Sequence, residues 1–222
     1  MIKISTIVQD QIESSPFLSE AIQEGLINVS ALARKIQPDV ERRLGKSVRE
    51  SAIVMAINRM QFGELVYVEK GLRQFFSKLS DISVRSNLVD FTFRNSAHLS
   101  KGITDLLQLI QNQYSTAFYS FSQGISETTI IVPNAIQKDV EQLFRKESLI
   151  DKEENLSAVT LMLPKENREL YGIYYYILKE LAWKGINLIE LISTSNEFTI
   201  IVDNQDVNRA FRVVSDLRSI GG

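Results

Sequence analysis

One stretch decides the fold: Gly185–Asp203, which reads GINLIELISTSNEFTIIVD. A glycine after an apolar helical pattern is typical of a helix end. The segments Asn187–Ile192 and Phe198–Val202 are rich in apolar and β-branched residues, which favours strands. Between them, Ser193–Asn196 carries the small polar residues common in turns. The stretch therefore predicts the end of a helix followed by a β-hairpin.

The same order of elements occurs earlier in the chain. We predict two β-α-β-β-α units, with a further strand around Ser148–Ile150. Such β-α-β-β-α-β units form antiparallel sheets with both helices on one face. The predicted elements of the first unit are Ile82–Phe93, Ser96–Asn112, Thr116–Phe121, Thr128–Val132 and a helix from Pro133. Those of the second are Leu156–Leu163, Glu166–Lys184, the hairpin above and a helix from Asp203.

Residues 1–79 have a helical pattern instead. Helices are predicted to begin at Pro16, at Asn28 or Ser30, at Pro38 and at Ser47, from their capping and first-turn residues. The predicted fold class is therefore α+β. A small helical domain (1–79) precedes two ferredoxin-like domains (80–150 and 151–222).

The composition limits the function. A formal net charge of −2 gives no global field for nucleic acid or membranes. The absence of cysteine excludes disulfides, thiol nucleophiles and thiolate metal sites, and it fits a cytoplasmic protein. His98 is the single histidine, which argues against histidine catalysis and a multi-histidine metal site. No signal peptide or membrane span is expected, because no long apolar run occurs.

Two hairpins carry a family resemblance. The segments Leu181–Leu188 (LAWKGINL) and Glu190–Ser195 (ELISTS), together with Ser122–Val132 (SQGISETTIIV), resemble the ACT domain of aspartokinases. The resemblance covers roughly residues 81–217 and implies a tandem pair of ACT-like domains. An aspartokinase begins with a Lys-Phe-Gly-Gly phosphate loop and a kinase domain, and neither that loop nor a Gly-x-x-x-x-Gly-Lys motif occurs here.

The resemblance implies a regulatory protein that is not an enzyme, needs no cofactor or metal, binds a free amino acid and forms a homodimer. An asparagine side chain offers a donor and an acceptor to an amino acid, and helix-start N–H groups hold a carboxylate. Asn187 is the first candidate contact. The other predicted ligand residues are Gly172, Ser193, Ser195 and Asn196 in the second unit, and Gln123 and Ser126 in the first.

Other functions stay open. The segment from Asn28 to Ile36 is similar to the start of a helix-turn-helix, and basic residues exceed acidic ones between Arg34 and Arg49. An amino-acid-responsive transcriptional regulator would place phosphate contacts there. An ACT-based dimerisation scaffold without a ligand is a further alternative. An enzyme would have only carboxylates, serines and tyrosines to use. The candidate DNA contacts are Arg34, Lys35, Arg42, Arg43, Lys46 and Arg49.

Overall fold

Nine α-helices and six β-strands follow one another in the computed structural model, which describes residues 3–60 and 63–221. The helices are α1 (Ile4–Glu13), α2 (Pro16–Gln23), α3 (Val29–Leu44), α4 (Glu50–Asn58), α5 (Gly63–Ser77), α6 (Leu99–Gln113), α7 (Gln137–Leu143), α8 (Ile173–Trp183) and α9 (Val207–Asp216). The strands are β1 (Ile82–Arg94), β2 (Ser120–Gln123), β3 (Glu127–Pro133), β4 (Leu149–Met162), β5 (Glu190–Ser193) and β6 (Glu197–Asp203).

Contacts divide the chain into two compact units, Met1–Lys70 and Gly71–Gly222. In the first unit, α1, α3 and α4 pack against one another. Asn28 caps α3, since its Oδ1 accepts a hydrogen bond from Ala31 N at 3.0 Å. The apolar faces of these helices form one core, with Ile7, Val8, Ile12, Leu32, Ala33, Ile36, Val40, Val48, Ile53 and Ile57 buried.

Two predicted helix starts in this unit are wrong. No helix begins at Pro38, which lies inside α3, because the buried face from Ile36 to Val40 continues past it. Asn28–Ile36 therefore belongs to one long helix, α3, and α4 follows it after the connection at Gly45–Arg49. Ser47 does not cap α4, which begins at Glu50. Glu41 instead holds Ser47 and Val48 in an extended connection, through hydrogen bonds of 3.3 and 2.8 Å to its Oε1.

The second unit contains one six-stranded antiparallel sheet, in the order β2-β3-β1-β4-β6-β5. The mixed helix-and-sheet class is thus confirmed, but the two repeats share a single sheet. The predicted strands Ser148–Ile150 and Leu156–Leu163 merge into β4, because β1 pairs with residues 149–153 as well as with 156–161. The boundary predicted at 150/151 therefore falls within a strand.

The long central strands β1 and β4 serve both repeats. Residues 88–94 of β1 pair with β3 on one side, and residues 156–162 of β4 pair with β6 on the other. The register between β1 and β4 shifts between Arg85 and Leu88. Asn87 and Asn155 both have a φ of 59°. They begin the related segments NLVDFTF and NLSAVTL, so the repeat is visible in backbone and sequence alike.

Buried side chains lie on both faces of the sheet. On one face Val89, Phe91 and Phe93 pack with α6 and α7, in a core that includes Leu106, Ile110, Ile130, Val132, Val140 and Phe144. Successive residues of a strand point to opposite faces. Leu88 therefore faces the other way, where it clusters with Ile131, Leu156, Ala158 and Ile201. Packing on both faces of the sheet thus fixes the strands whose ends carry the loops and turns of the second unit.

Two shorter strands differ from their predicted limits. β2 begins at Ser120 rather than at Thr116, and β5 begins at Glu190 rather than at Asn187. In the corresponding connection of the first repeat, Ala117 N bonds to Tyr114 O at 2.8 Å, which makes a turn of residues whose composition favours a strand. Local composition therefore predicts the two strands but not where each begins.

Candidate functional site

The loop after β4 is hydrogen-bonded to the turn between β5 and β6. Leu163 N donates to Asn196 O, and Asn167 Nδ2 donates to Ser195 O, both at 2.7 Å. Arg168 Nη2 donates to Ser195 Oγ, also at 2.7 Å. Backbone and side-chain groups of one loop thus hold the opposite turn at both Ser195 and Asn196.

The side chain of Asn167 has an unused acceptor. The residue is only 8% exposed, and its Nδ2 is committed to Ser195 O. That bond fixes the amide orientation, so Oδ1 can only accept. Oδ1 is buried and has no hydrogen-bond partner among the described residues. A buried acceptor without a partner costs about 1–3 kcal/mol, so the amide oxygen favours a donor from outside the chain.

The start of α8 follows in the same loop. Gly172, with a φ of 88°, is its N-cap, and no side chain caps the helix. Gly172 O accepts from Tyr176 N at 2.9 Å, which closes the first turn. The N–H groups of a helix's first turn have no partner within the helix and carry partial positive charge. Tyr174, in that turn, has its hydroxyl 3.1 Å from Ser193 Oγ, so the helix start lies beside the end of β5.

The corresponding loop of the first repeat has no such unused acceptor. Asn95 Nδ2 donates to Gly124 O at 2.9 Å, and Asn95 Oδ1 accepts from Thr128 Oγ1 at 2.6 Å. Each hairpin turn has one matching backbone hydrogen bond: from Gly124 N to Glu127 O in the first repeat, and from Thr194 N to Glu197 O in the second. The residues that follow these turns, Thr128 and Phe198, are therefore counterparts. Phenylalanine has no hydroxyl. The first repeat therefore satisfies its asparagine internally, and the second leaves Asn167 Oδ1 unsatisfied.

His98, the N-cap of α6, makes no side-chain cap either, but Ser96 two residues earlier binds the N–H groups at this helix start. Ser96 Oγ accepts from His98 N and Leu99 N, both at 3.1 Å, at the start of α6. The same hydroxyl donates to Glu147 Oε2 at 2.5 Å, which brings a carboxylate of the chain itself to this helix end. In the first repeat, groups of the chain itself therefore bind both the asparagine side chain and the helix start. In the second repeat, Asn167 Oδ1 has no partner among the described residues, and no side chain caps α8.

The predicted ligand residues separate into three places. Gly172, Ser193, Ser195 and Asn196 lie together in the second repeat, around the loop and turn just described. Asn187 is exposed in the connection before β5, at the other end of that strand. At about 3.3 Å per residue the two ends of β5 are roughly 10 Å apart. Gln123 and Ser126 are exposed in the first hairpin.

Two residues of this cluster were not singled out from sequence. Asn167 and Arg168 lie in Lys165–Arg168, a short polar segment that forms a 3-10 turn rather than the start of a long helix. The counterpart of Asn95 in the repeat is Leu163, since both donate their backbone N–H to the opposite turn. Asn167 therefore lies further along its loop than Asn95 does in the first repeat. An alignment of the two repeats does not pair these asparagines.

Salt bridges partly neutralise the basic residues of the N-terminal helical unit, Met1–Lys70. Arg34 pairs with Glu50 and Arg42 pairs with Asp39, each at 3.0 Å. Lys35, Arg43, Lys46 and Arg49 are exposed. A DNA surface here stays a prediction without support from this arrangement.

Two further searches cover the described part of the chain. No group of three or more histidine, cysteine, aspartate or glutamate residues there is arranged to hold a metal ion. Among the described helices, none has the length and apolar character needed to cross a bilayer.

Comparison with known proteins identifies the fold. No protein-family model and no curated protein sequence matches the chain. The aspartokinase alpha and beta subunits match with a TM-score of 0.51 and 15% identity, over 64% of this chain and 99% of theirs. The regulatory subunit of aspartate kinase from Thermus thermophilus, in its ligand-free form, matches at 0.50 and 8%, over 63% and 97%.

Over 63% of its length, the chain has the fold of the aspartate kinase regulatory subunit. This confirms the ACT resemblance predicted from the two hairpins. Aspartate kinase from Clostridium acetobutylicum matches with a TM-score of 0.52 and 12% identity, over 63% of this chain. Because the match covers only 34% of that enzyme, the chain spans about a third of the kinase's length.

Proposed function

We propose that this chain is a non-catalytic regulatory protein that binds one free amino acid in the loop between β4 and α8. The supporting observation is the buried Oδ1 of Asn167, an acceptor without a partner among the described residues. It lies in a loop that also carries an exposed guanidinium, Arg168, and an uncapped helix start. These groups match the two charged ends of an amino acid.

In this proposal the ligand's ammonium group donates to Asn167 Oδ1. Its carboxylate accepts from the first-turn N–H groups of α8 and from Arg168, whose fork of donors suits a carboxylate. Arg168 uses Nη2 for its hydrogen bond to Ser195 Oγ. A carboxylate that recruits Arg168 would therefore weaken the link from the loop to the β5–β6 turn.

The first repeat has no equivalent site in this proposal. Thr128 and Ser96 take the places that ligand groups would take, and Glu147 brings its own carboxylate. We therefore expect one bound amino acid per chain. Ser195, Ser193 and Asn196 act by shaping the turn, and Asn187 is not a contact.

The regulatory output that we propose is a change in self-association. β5 is an edge strand of the sheet, and Leu191 on it is 44% exposed. Unpaired edges pair readily with another chain, and the homodimer that we propose uses β5 in this way. Release of Ser195 by the ligand would alter the turn that ends β5. A ligand shifts the dimer equilibrium only if it binds the two states with different affinity.

The experiment is a thermal unfolding screen with each of the twenty amino acids. A ligand at about 100 times its dissociation constant adds about 2.7 kcal/mol to stability. We expect at least one amino acid to raise the midpoint, and Arg168→Ala and Asn167→Ala to abolish the effect. Arg145→Ala and Asn95→Ala are the matched controls in the first repeat and should keep it. If no amino acid raises the wild-type midpoint, the chain is a dimerisation scaffold without this ligand.

A further inference from the structure

A cavity lies on the face of the sheet that carries Leu88 and Ile131. It has a volume of about 110 Å³ and is lined by Asp90, Thr92, Asp151, Glu153, Ile189 and Glu190. In the pairing of β1 with β4, Asp90 is directly opposite Glu153, and Thr92 is opposite Asp151. Directly opposed residues share a face, so three carboxylates lie side by side, with Glu190 as a fourth on the rim.

Asp90 is the unusual member of this group. It is 6% exposed, in the middle of the sheet, and its Oδ1 has no hydrogen-bond partner among the described residues. Burial, followed by the charges of Glu190, Glu153 and Asp151, raises its pKa to about 7. A buried carboxylate is normally paired with a cation or with hydrogen-bond donors. Here the neighbouring charges that act on it are all negative.

The repeat shows that the fold does not require these carboxylates. The strand registers make Ala158 the counterpart of Asp90, and Arg85 the counterpart of Glu153. The guanidinium of Arg85 lies over the ring of Phe118, 5.7 Å from its centroid. The corresponding position in the other half of the sheet therefore carries a positively charged side chain instead of a carboxylate. The acidic group is therefore specific to one of two related positions.

We infer that this cavity binds an organic cation bearing a primary ammonium group, such as an aliphatic diamine. An ammonium donates three hydrogen bonds, and Asp90 Oδ1, Glu153 and the Thr92 hydroxyl supply acceptors. A metal ion fits less well, because no group of three or more carboxylates among the described residues converges on one point. Ile189 forms an apolar wall suited to a methylene chain. The four carboxylates favour a diamine over a free amino acid, because they repel the amino acid's own carboxylate.

This site is separate from the one proposed at α8, and neither depends on the other. The test is isothermal titration of the full chain at pH 8 with 1,5-diaminopentane, with glutarate as the matched dianion. We expect the diamine to bind and glutarate not to bind. Asp90→Asn and Glu153→Gln should each raise the dissociation constant at least tenfold. Asp105→Asn, the same charge change on exposed α6, should leave it within twofold.

Three results of this titration would overturn the inference. Equal diamine affinity in Asp90→Asn and wild type would place binding elsewhere. No diamine binding by the wild type would remove the site altogether. Tight binding of Mg²⁺ or Ca²⁺, with no binding of the diamine, would show a metal site. Glu153 lies at a half-exposed position, so Glu153→Gln tests the site even if Asp90→Asn alters folding, which circular dichroism would report.

Discussion

Asn87 and Asn155 stand at the same place in β1 and β4, and both have a φ of 59°. Asparagine tolerates this left-handed region better than other residues with a Cβ. At each residue the long strand passes from the part that pairs within one repeat to the part that pairs with the other. The two asparagines therefore set the geometry by which two repeats share one sheet.

Alanine at either asparagine should destabilise the fold. We expect Asn87→Ala and Asn155→Ala each to lower the free energy of unfolding by about 1–2 kcal/mol, the typical penalty for a side chain in this region. Glycine adopts a positive φ freely. Asn87→Gly and Asn155→Gly should therefore lose less than the alanine variants, as measured by urea unfolding. An alanine variant as stable as wild type would show that the conformation is not under strain.

The paired threonines offer a comparison between a buried and a half-buried hydrogen bond. The Oγ1 atoms of Thr160 and Thr199 are 2.7 Å apart and buried, and those of Thr92 and Thr129 are 3.3 Å apart and half-buried. Thr199→Val leaves the Thr160 hydroxyl buried without a partner, which costs about 1–3 kcal/mol. The double variant Thr160→Val with Thr199→Val should recover most of this loss.

The equivalent change at Thr129 should have a smaller effect, because water can replace the lost partner there. Urea unfolding of the four single variants and the two double variants gives both coupling energies. A larger coupling energy for Thr92 and Thr129 than for Thr160 and Thr199 would contradict the assignment of burial.

Asp90 should make stability depend on pH. The fold raises the pKa of Asp90 from the ordinary aspartate value of 3.8 to about 7, chiefly through burial. Between these values the folded state binds more protons than the unfolded state, so this residue lowers stability as pH rises from about 4 to 7. Asp90→Asn removes that loss. We expect the variant to match wild type near pH 4 and to exceed it at pH 8, by roughly 1–3 kcal/mol.

Unfolding curves at pH 4, 6 and 8 measure this difference, and Asp105→Asn controls for net charge. If the gain from Asp90→Asn were the same at all three pH values, Asp90 would not be titrating in the fold.

Gly102 in α6 should resist substitution although alanine favours helices. A Cβ there would lie 2.8 Å from Phe144 Cε1. Phe144 is buried and stacked on Phe93, with ring centroids 5.0 Å apart, so it has little room to move. Overpacking typically costs about 1–3 kcal/mol, against a helix gain of about 1 kcal/mol. We expect Gly102→Ala to lower the melting midpoint. Gly124→Ala, with its nearest atom at 3.6 Å, should change it little.

Sequence predicts elements better than it predicts their partners in this chain. The hairpin Glu190–Asp203 follows from alternating apolar residues and a polar turn, and it is observed. The single sheet does not follow, because strand pairing across the repeats depends on long-range register that no local pattern encodes. The helix start predicted at Pro38 is wrong for a related reason. The packing of Ile36 and Val40 outweighs the one backbone hydrogen bond that the proline removes, so α3 continues past it.

The candidate site was only partly predictable. Gly172 and the Ser193–Asn196 turn were identified from composition and resemblance. Asn167 cannot be found by aligning the repeats, because Leu163 takes the place of Asn95. Its contact with the turn depends on the path of the loop, which brings Nδ2 to Ser195 O. Asn187 offers a donor and an acceptor, but it lies at the opposite end of β5 from this cluster.

The most direct measurement of the proposed amino-acid site is a heteronuclear NMR titration of the ¹⁵N-labelled chain with the amino acid that most raises its unfolding midpoint. The proposal predicts the largest shifts at the backbone amides of residues 172–175 and at the Asn167 side-chain amide, with saturation at one ligand per chain. Largest shifts at Asn187–Glu190, or at Leu99–Gly102 in the first repeat, would contradict it.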